Sequence, residues 1–269
     1  MTTFHSHTHY CDGTHPPEVY VQKAIELGLK QYGFSSHAPL NYDIKWCMPM
    51  SRRFEYVNEI RALKEKYAAQ IDIYCGMEVD FIPNEAGTQA PWIKELGLDY
   101  SVGSVHLVGF ENAETPWEID GPHEVFKRGL KTVFDNDIQA AVIRYFQLTR
   151  QMLVEDKPTI LGHLDKIKMH NTTLEYFKED EKWYKDAMME TLEVASKTGI
   201  IIELNTRGIY KKKTHDTYPS NWVVKEMASL KIPVIVNSDC HHPSEMILGY
   251  DVAFENLKSA GITETVLYG

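Results

Sequence analysis

The amino-acid sequence predicts an α/β fold in which a largely parallel sheet closes into a barrel. Seven short apolar or β-branched runs are strand candidates: residues 2–7, 32–36, 71–79, 99–105, 159–162, 199–204 and 233–237. Longer intervals of helical pattern separate most of them, which is typical of βα units. Histidines and carboxylates fall at or just past the C-terminal ends of these runs, and residues at those ends converge on one mouth only if the sheet closes. A barrel is therefore favoured over an open doubly wound sheet.

The first helix, between the first two strand runs, has the clearest sequence signals. Thr14 can cap its N-terminus, Pro16 and Pro17 suit its first turn, and Gly28 fits its exit. We therefore expect it to run from about Pro16 to the residue before Gly28.

Further helices are predicted from the spacing of apolar residues. A second helix starts near Ser51, and one buried side is predicted from residues at three- and four-residue steps: Phe54, Val57, Ile60, Leu63 and Tyr67. Residues 135–155 and 181–197 also have helical patterns. Residues 109–122 have no such pattern, and we expect an irregular loop beside the functional site.

Length and charge limit the classes of protein to consider. A chain of 269 residues with 43% hydrophobic residues can bury a sizeable core, and α/β barrels of this length are routinely one domain, so a single domain over residues 1–269 is predicted. The formal net charge of −10 speaks against a broad surface for a phosphate backbone, because nucleic-acid binders usually carry a basic face. No nucleic-acid partner is expected, and a small or cationic substrate suits this charge better.

Cysteine usage and hydropathy predict the compartment. The cysteines Cys11, Cys47, Cys75 and Cys240 show no C-x-x-C spacing, and a protein of this size does not need disulfide bonds for stability. No signal-peptide pattern opens the chain and no run of about 18 apolar residues occurs, so neither export nor membrane spanning is supported. A cytoplasmic protein with no membrane partner is expected.

The first and the last strand runs each carry a pair of candidate metal ligands. His5 and His7 stand at i and i+2 on the first strand run, so both side chains point to the same face and can chelate one ion. Asp239 and His241 repeat this spacing at the end of the last run. Imidazole and carboxylate are ligands of divalent metals, although one such pair alone is more often a surface or core pair.

Other candidates lie at the ends of the intervening strand runs. Glu78 is an acid inside the apolar run CGMEVDF, and an unpaired buried carboxylate is costly, so it is either a bridging metal ligand or half of a buried ion pair with Lys or Arg. His37, His106 and His163 follow three further strand runs. Each alone could be an ordinary strand-end residue, but together they predict a multi-metal hydrolase.

Seven short motifs in this order carry a resemblance to a known family. The motifs are HSHTHYCDGT, YGFSSHAPL, GMEVDF, DYSVGSVH, ILGHLD, ELNTRG and NSDCHHP. The chain resembles the polymerase-and-histidinol-phosphatase (PHP) family, and the motif order follows its histidinol-phosphate phosphatase branch. The resemblance implies a distorted seven-stranded βα barrel with two or three divalent ions, Zn, Mn or Fe, at the C-terminal ends of its strands.

The resemblance also implies three sets of ligands. The first set is His5, His7, Glu78 and Asp239, the second is Glu78, His106 and His163, and the third is Asp12, His37 and His241. Family members have either an Asp seven residues after the first histidine or a His eight residues after it. Asp12 fits the first version when counted from His5, and His15 fits the second when counted from His7. Asp12 is preferred because the surrounding CDGT then matches.

A metal cluster of this kind would hydrolyse phosphate esters. Two ions about 3.5–4 Å apart can share a hydroxide, which would attack phosphorus without any Ser or Cys nucleophile. Glu78, Asp239 and His241 are the catalytic candidates. Arg207 is the first candidate for phosphate binding, since a guanidinium can bind two phosphate oxygens. Arg144 is the second, with a solvated helix face as the alternative.

The resemblance implies L-histidinol phosphate as substrate and L-histidinol and inorganic phosphate as products, a step of histidine biosynthesis. This substrate is a small phosphate ester with an amine and an imidazole, so acids near the mouth could bind it: Glu111, Glu118 and Asp120. Asp80 and Asp165 could orient metal ligands from behind. The alternatives are a phosphoesterase for another ester, such as a nucleotide or sugar phosphate, and a non-catalytic metal- or phosphate-binding module.

Overall fold

Seven parallel strands form the central sheet of this chain, whose computed structural model describes residues 1–42, 44–109 and 116–266. In spatial order they are β1 (Thr2–Thr3), β2 (Gln31–Phe34), β3 (Asp72–Asp80), β4 (Tyr100–Ser104), β7 (Ile160–Leu161), β8 (Ile201–Asn205) and β9 (Val234–Asn237). Each lies within or overlaps one of the predicted runs. The seven-stranded prediction is confirmed, with several strands shorter than their runs.

The two edges of the sheet meet beyond β1 and β9. Ser6 forms a parallel bridge with Cys240, and the backbone N–H of His7 donates to the Cys240 carbonyl at 2.8 Å. The N–H of Phe4 donates to Asn237 Oδ1 at 2.7 Å. The sheet therefore forms a nearly closed barrel, and the prediction of a barrel over an open sheet is confirmed.

Helices connect most of the strands. They are α1 (Pro17–Glu26), α2 (Arg53–Lys66), α3 (Pro91–Lys94), α4 (His123–Phe134), α5 (Ile138–Gln151), α6 (Lys182–Thr198), α7 (Arg207–Tyr210), α8 (Asn221–Ser229) and α9 (Tyr250–Ser259). A π-helical turn, Met152–Asp156, continues α5, and short 3-10 helices cover Met50–Arg52, Lys166–Lys168 and Pro243–Glu245. Across the described residues, every helix is too short or too polar to span a membrane.

The start of α1 differs from the prediction. Pro16 occupies the N-cap position and makes no side-chain cap, whereas the Thr14 hydroxyl donates to the His241 carbonyl at 2.9 Å. The prediction that Thr14 caps this helix is wrong, because its hydroxyl instead ties the loop after β1 to the loop after β9. Gly28 has φ +70°, a left-handed conformation that glycine adopts without strain, so the predicted exit is confirmed.

The buried side of α2 also differs in its first turn. Val57, Ile60 and Leu63 are buried as predicted, but Phe54 is 44% exposed, and the guanidinium of Arg53 lies over its ring. Tyr56 is fully buried instead, and its hydroxyl donates to the carbonyl of Gly76, a residue of β3, at 2.7 Å.

The segment predicted to be an irregular loop contains a strand. Trp117–Glu118 (β6) pairs antiparallel with Leu107–Val108 (β5) just after β4. The pairing follows from the burial of Trp117, whose ring packs on Phe126 and Phe134 of α4. The prediction is wrong for these two residues.

An apolar layer fills the barrel below the strand ends that carry the polar residues. It consists of Phe4, Tyr100, Val102, Ile160 and Ile235. Tyr100 lies against Gly33 and Gly76, where a Cβ would come within 2.5 Å of its ring or hydroxyl, and its hydroxyl lies 2.8 Å from the carbonyl oxygens of Phe4 and Phe34. Two strand glycines thus make room for one large side chain, which separates the polar mouth from the opposite end.

Candidate metal centre

The residues predicted as metal ligands come together at the C-terminal ends of the barrel strands. Four groups have donor atoms that all lie within 4.8 Å of one another: His7, Asp12, His37 and His241; His5, Glu78 and His163; His5, His7 and Asp239; and His37, Asp80 and His106. All nine predicted ligands belong to at least one group. Asp80 is the only addition among the described residues.

Glu78 lies at the centre of the cluster and is 1% exposed. Its Oε2 is 3.2 Å from His5 Nε2, 3.5 Å from His7 Nε2 and 3.0 Å from His37 Nδ1. Its peptide group pairs with the segment that follows β2, because His37 forms a parallel bridge with it and the Ala38 N–H donates to the Glu78 carbonyl. The β3 backbone therefore holds this carboxylate at a fixed height within the mouth.

The other carboxylate oxygen of Glu78 faces β4 and β7. Oε1 is 2.9 Å from His163 Nε2 and 3.6 Å from His106 Nε2, and it accepts a hydrogen bond from Ser104 Oγ at 2.6 Å. Among the described ion pairs, the partners of Glu78 are imidazoles and not Lys or Arg. Its two oxygens thus face two separate groups of histidines.

Asp12 lies beside the first of these groups and His15 does not. Asp12 Oδ2 is 3.1 Å from His241 Nε2, and Oδ1 is 3.9 Å from both His7 Nδ1 and His37 Nε2. The His15 ring, in contrast, contacts the Thr14 hydroxyl and lies outside every described group. Of the two registers left open by the sequence, the one that starts from His5 matches the geometry.

Asp239 joins the first strand to the last. Its Oδ1 is 3.3 Å from His7 Nε2, 3.8 Å from His5 Nε2 and 3.6 Å from His241 Nδ1. Its backbone has φ +52°, in the left-handed region that Asp tolerates better than most residues. This turn directs the Asp239 side chain into the mouth and its carbonyl toward Arg207, which donates to it from Nη1 at 2.7 Å.

Two further carboxylates contact the outer ring nitrogens, which are the Nδ1 atoms that face away from the mouth, of His5 and His106. Glu203, on β8, lies 2.9 and 3.0 Å from His5 Nδ1 and also accepts from the His163 backbone N–H at 2.7 Å. Asp80 lies 3.0 Å from His106 Nδ1. Sequence reasoning missed Glu203, although it is an acid inside the apolar run IIELN and thus carries the same signal as Glu78. These contacts leave His5 Nε2 and His106 Nε2 directed into the mouth.

Burial and mutual charge set the protonation of the cluster. Burial opposes protonation of His5, but the carboxylates of Glu203, Glu78 and Asp239 outweigh it and raise the His5 pKa well above its usual value. Burial and the neighbouring imidazoles lower the pKa of His7 well below its usual value. Burial alone would raise the pKa of Glu78, yet the histidines around it hold that pKa well below the ordinary range. Glu78 is therefore a carboxylate at neutral pH.

A cavity of about 520 Å³ opens above the cluster. It is lined by Asp12, His37, Trp46, His106, Glu118, Asp120, Gly121, Pro122, Lys166, Met169, Arg207, Gly208, Lys211, Lys213, Tyr218 and His241. Arg207, the first candidate for phosphate binding, lines it, whereas Arg144, the second candidate, lies on α5 and is not among these lining residues. Glu118 and Asp120 line it too, and Glu111 lies outside the described residues.

Lys166 is a cavity residue that sequence reasoning missed. Its Nζ lies 3.0 Å from Asp120 Oδ2 and 3.4 Å from His106 Nε2. It follows His163 by three residues, in the 3-10 turn after β7. A lysine in a polar stretch gives no sequence signal of its own, because most lysines are solvated.

Asp165 does not orient His163. Its carboxylate accepts from Lys168 Nζ at 2.7 Å and from the Ser220 N–H at 3.1 Å, behind the mouth. Lys168 is also buried, and it donates to the Thr217 carbonyl and the Ser220 hydroxyl. Burial raises the pKa of Asp165 to about 6 against the opposing effect of Lys168. The pair is a buried ion pair that ties the turn after β7 to the N-terminus of α8.

Replacing Lys168 should therefore destabilise the fold. Lys168→Met leaves the Asp165 carboxylate buried without its cation, which typically costs about 3–5 kcal/mol of unfolding free energy. Lys182→Met is the matched control, since Lys182 is 88% exposed and its pair with Asp186 is expected to contribute under about 1 kcal/mol. Urea denaturation of both variants measures the difference. Equal losses would contradict the structural role of the buried pair.

The fold and the cluster together define a class of protein. A family model described as the PHP domain matches residues 3–207, which is well over half of the chain. The chain therefore belongs to the PHP family. The family assignment made from the seven motifs is confirmed.

Relatives within the family align over nearly the whole chain. A Bacillus subtilis protein named "Histidinol-phosphatase" is 24% identical over 266 residues, covering 93% of this chain and 97% of its own. A Deinococcus radiodurans protein named "Probable histidinol-phosphatase" is 28% identical over 263 residues, covering 96% of this chain and 92% of its own.

Two solved structures share the barrel. A candidate histidinol phosphatase of Listeria monocytogenes has a TM-score of 0.81 at 24% identity, covering 94% of this chain and 99% of its own. The histidinol phosphate phosphatase of Lactococcus lactis, complexed with Zn, L-histidinol and phosphate, has a TM-score of 0.70 at 20% identity and covers 100% of this chain and 96% of its own. At these identities the likeness establishes the fold.

Proposed function

We propose that this chain is a metal-dependent phosphomonoesterase that hydrolyses L-histidinol phosphate to L-histidinol and inorganic phosphate. The observation that carries the proposal is the convergence of six histidines and four carboxylates on one mouth beneath a cavity that Arg207 and Lys166 also line. The names of the full-length relatives support the substrate, as does the Lactococcus lactis protein with L-histidinol and phosphate bound.

The donor atoms fit divalent ions such as Zn, Mn or Fe. Three buried imidazole nitrogens, His5 Nε2, His7 Nε2 and His37 Nδ1, have no hydrogen-bond partner among the described residues, although each lies within 3.5 Å of Glu78 Oε2. Unpartnered buried nitrogens are costly unless a cation engages them. Nitrogen and carboxylate oxygen donors in this mixture suit all three metals.

The proposed ligand sets combine the groups in the mouth with the contacts of Glu78: the third set lies within one group, the first adds Glu78 to a group, and the second is supported by the distances from Glu78 Oε1 to two histidines. His5, His7, Glu78 and Asp239 would hold one ion, Glu78, His106 and His163 a second, and Asp12, His37 and His241 a third. Ions held here would supply Lewis acidity, which lowers the pKa of water toward neutrality and neutralises phosphate charge. Glu203 and Asp80 would keep the rings of His5 and His106 oriented, the usual role of carboxylates behind metal-binding histidines.

The chain's own cations would position the phosphate. The Arg207 guanidinium is fixed by the Asp239 carbonyl through Nη1, so its remaining N–H groups can donate to phosphate oxygens. Lys166 offers a second charge, with its Nζ 3.4 Å from His106 Nε2. Of the catalytic candidates, Glu78 is buried at the centre, His241 lines the cavity, and Asp239 lies directly behind His241.

A substrate panel tests the proposed reaction. The metal-loaded protein should release phosphate from L-histidinol phosphate with kcat/KM at least about 100-fold above that for nucleoside monophosphates and sugar phosphates. Chelation, or Glu78→Ala, should abolish turnover. Similar kcat/KM values across the panel would contradict the proposed substrate and indicate a general phosphoesterase. Bound metal without turnover would indicate a binding module.

Asp12 and His15 offer a matched pair for the third ion. Asp12→Asn should lower kcat/KM about 10–100-fold and reduce bound metal, because it removes a charged donor from the group with His37 and His241. His15→Asn should stay within about twofold, since this ring contacts Thr14, Tyr20 and His242 and lies outside every described donor group. Metal analysis and phosphate release check both. The reverse pattern would show that the alternative register is the functional one.

A further inference from the structure

The cavity above the metal ligands is lined by charges of both signs, which come from different segments of the chain. Arg207, Lys211 and Lys213 line it from the segment after β8, and Lys166 lines it from the turn after β7. Glu118 and Asp120 line it from β6 and the residues that follow. A cavity of this kind is complementary to a ligand with an anionic and a cationic end.

An ion pair between Lys166 and Asp120 joins the basic and the acidic segments that line the cavity. Lys166 Nζ is 3.0 Å from Asp120 Oδ2, and the two side chains are only 10% and 19% exposed. Burial opposes the Lys166 ammonium, but the carboxylates of Asp120, Asp239 and Glu78 outweigh it and raise the lysine pKa above its usual value. Burial would also raise the pKa of Asp120, yet Lys166 and His106 bring it down to about 2. Both groups are therefore charged at neutral pH.

The two ends of this pair lie next to a proposed metal ligand. His106 Nε2 is 3.4 Å from Lys166 Nζ and 3.9 Å from Asp120 Oδ2. A phosphate bound at the metal centre would thus arrive within reach of Lys166, and Asp120 would then lose its cation. Glu118 is less suited to such an exchange, because its Oε1 already accepts from Trp46 Nε1 at 2.8 Å.

We propose that the Lys166–Asp120 ion pair selects phosphate esters that carry an ammonium group. The phosphate pairs with Lys166 and the ammonium pairs with Asp120. A substrate with both charges thus replaces one ion pair within the protein by two ion pairs between protein and substrate. An ester without the cation must leave the Asp120 carboxylate without its partner in a largely buried position, which is unfavourable. The inference rests on the proposed phosphoesterase function and names the basis of its selectivity.

Binding of inorganic phosphate to the metal-loaded protein gives a direct test. In the wild type, phosphate must compete with Asp120 for Lys166. Asp120→Asn should therefore tighten phosphate binding at least about threefold, whereas Lys166→Gln should weaken it at least about tenfold. Glu124→Gln is the control for net charge, because Glu124 pairs with Lys127 on an exposed face outside the cavity, and it should change nothing. A purely structural pair would lose affinity in both cavity variants, which would overturn the proposal.

Binding of the two product fragments should also be coupled. In the wild type, saturating phosphate should tighten L-histidinol binding at least about fivefold, and L-histidinol should tighten phosphate binding by the same factor. In Asp120→Asn this factor should fall below about twofold. Calorimetric titration at pH 7.5 isolates the ammonium, since imidazole with a pKa of about 6.5 is then mostly neutral. Coupling that persists in Asp120→Asn but disappears in Glu118→Gln would assign the role to Glu118 and overturn the proposal.

Turnover separates this inference from the proposed reaction. The kcat/KM ratio of L-histidinol phosphate to its analogue without the amine should fall at least about tenfold in Asp120→Asn. The ratio of aminoethyl phosphate to ethyl phosphate gives the same readout if the wild type prefers another ester. Failure of the wild type on L-histidinol phosphate would thus disprove the substrate alone. An unchanged ratio in Asp120→Asn for whichever pair is hydrolysed would disprove the selection mechanism alone.

Discussion

The burial of the Glu78 carboxylate is the constraint on which the rest of the mouth depends. Five imidazoles lie within 4 Å of its two oxygens, and these come from the ends of β1, β2, β4 and β7. A buried carboxylate in this position is stable only if cations or hydrogen-bond donors surround it. A barrel satisfies this requirement with short side chains, because each strand end needs to contribute only one or two residues.

Orientation of these rings requires a second layer of acids. Glu203 and Asp80 engage the outer nitrogens of His5 and His106, so the inner nitrogens have a defined direction. Beneath them, the apolar layer, which includes Tyr100, fills the centre of the barrel. The polar cluster and the apolar layer are therefore stacked along one axis, and each depends on the strand register that β3 shares with β2 and β4.

Sequence patterns predicted what local signals can specify. Apolar runs predict all seven barrel strands, and residues at their ends include every member of the groups except Asp12, which the family resemblance supplies, and Asp80, which is predicted only as an orienting residue. Lys166 and the β5–β6 pair were not predicted, because a cavity lysine and a two-residue strand depend on tertiary contacts. Asp165 shows the opposite error: its spacing from His163 suggested a role at the mouth, but its partner is Lys168, behind it.

The seam between the first and last strands brings together metal-ligand candidates that are far apart in the sequence. Phe4 and Asn237, which are hydrogen-bonded across it, are 233 positions apart in sequence, and the ligands from β1 and β9 face each other just above. Bringing such distant segments together has a large entropic cost. A cation held between His7 and Asp239 would crosslink the first and last strands across that junction. Metal binding and closure of the barrel would then be one cooperative event.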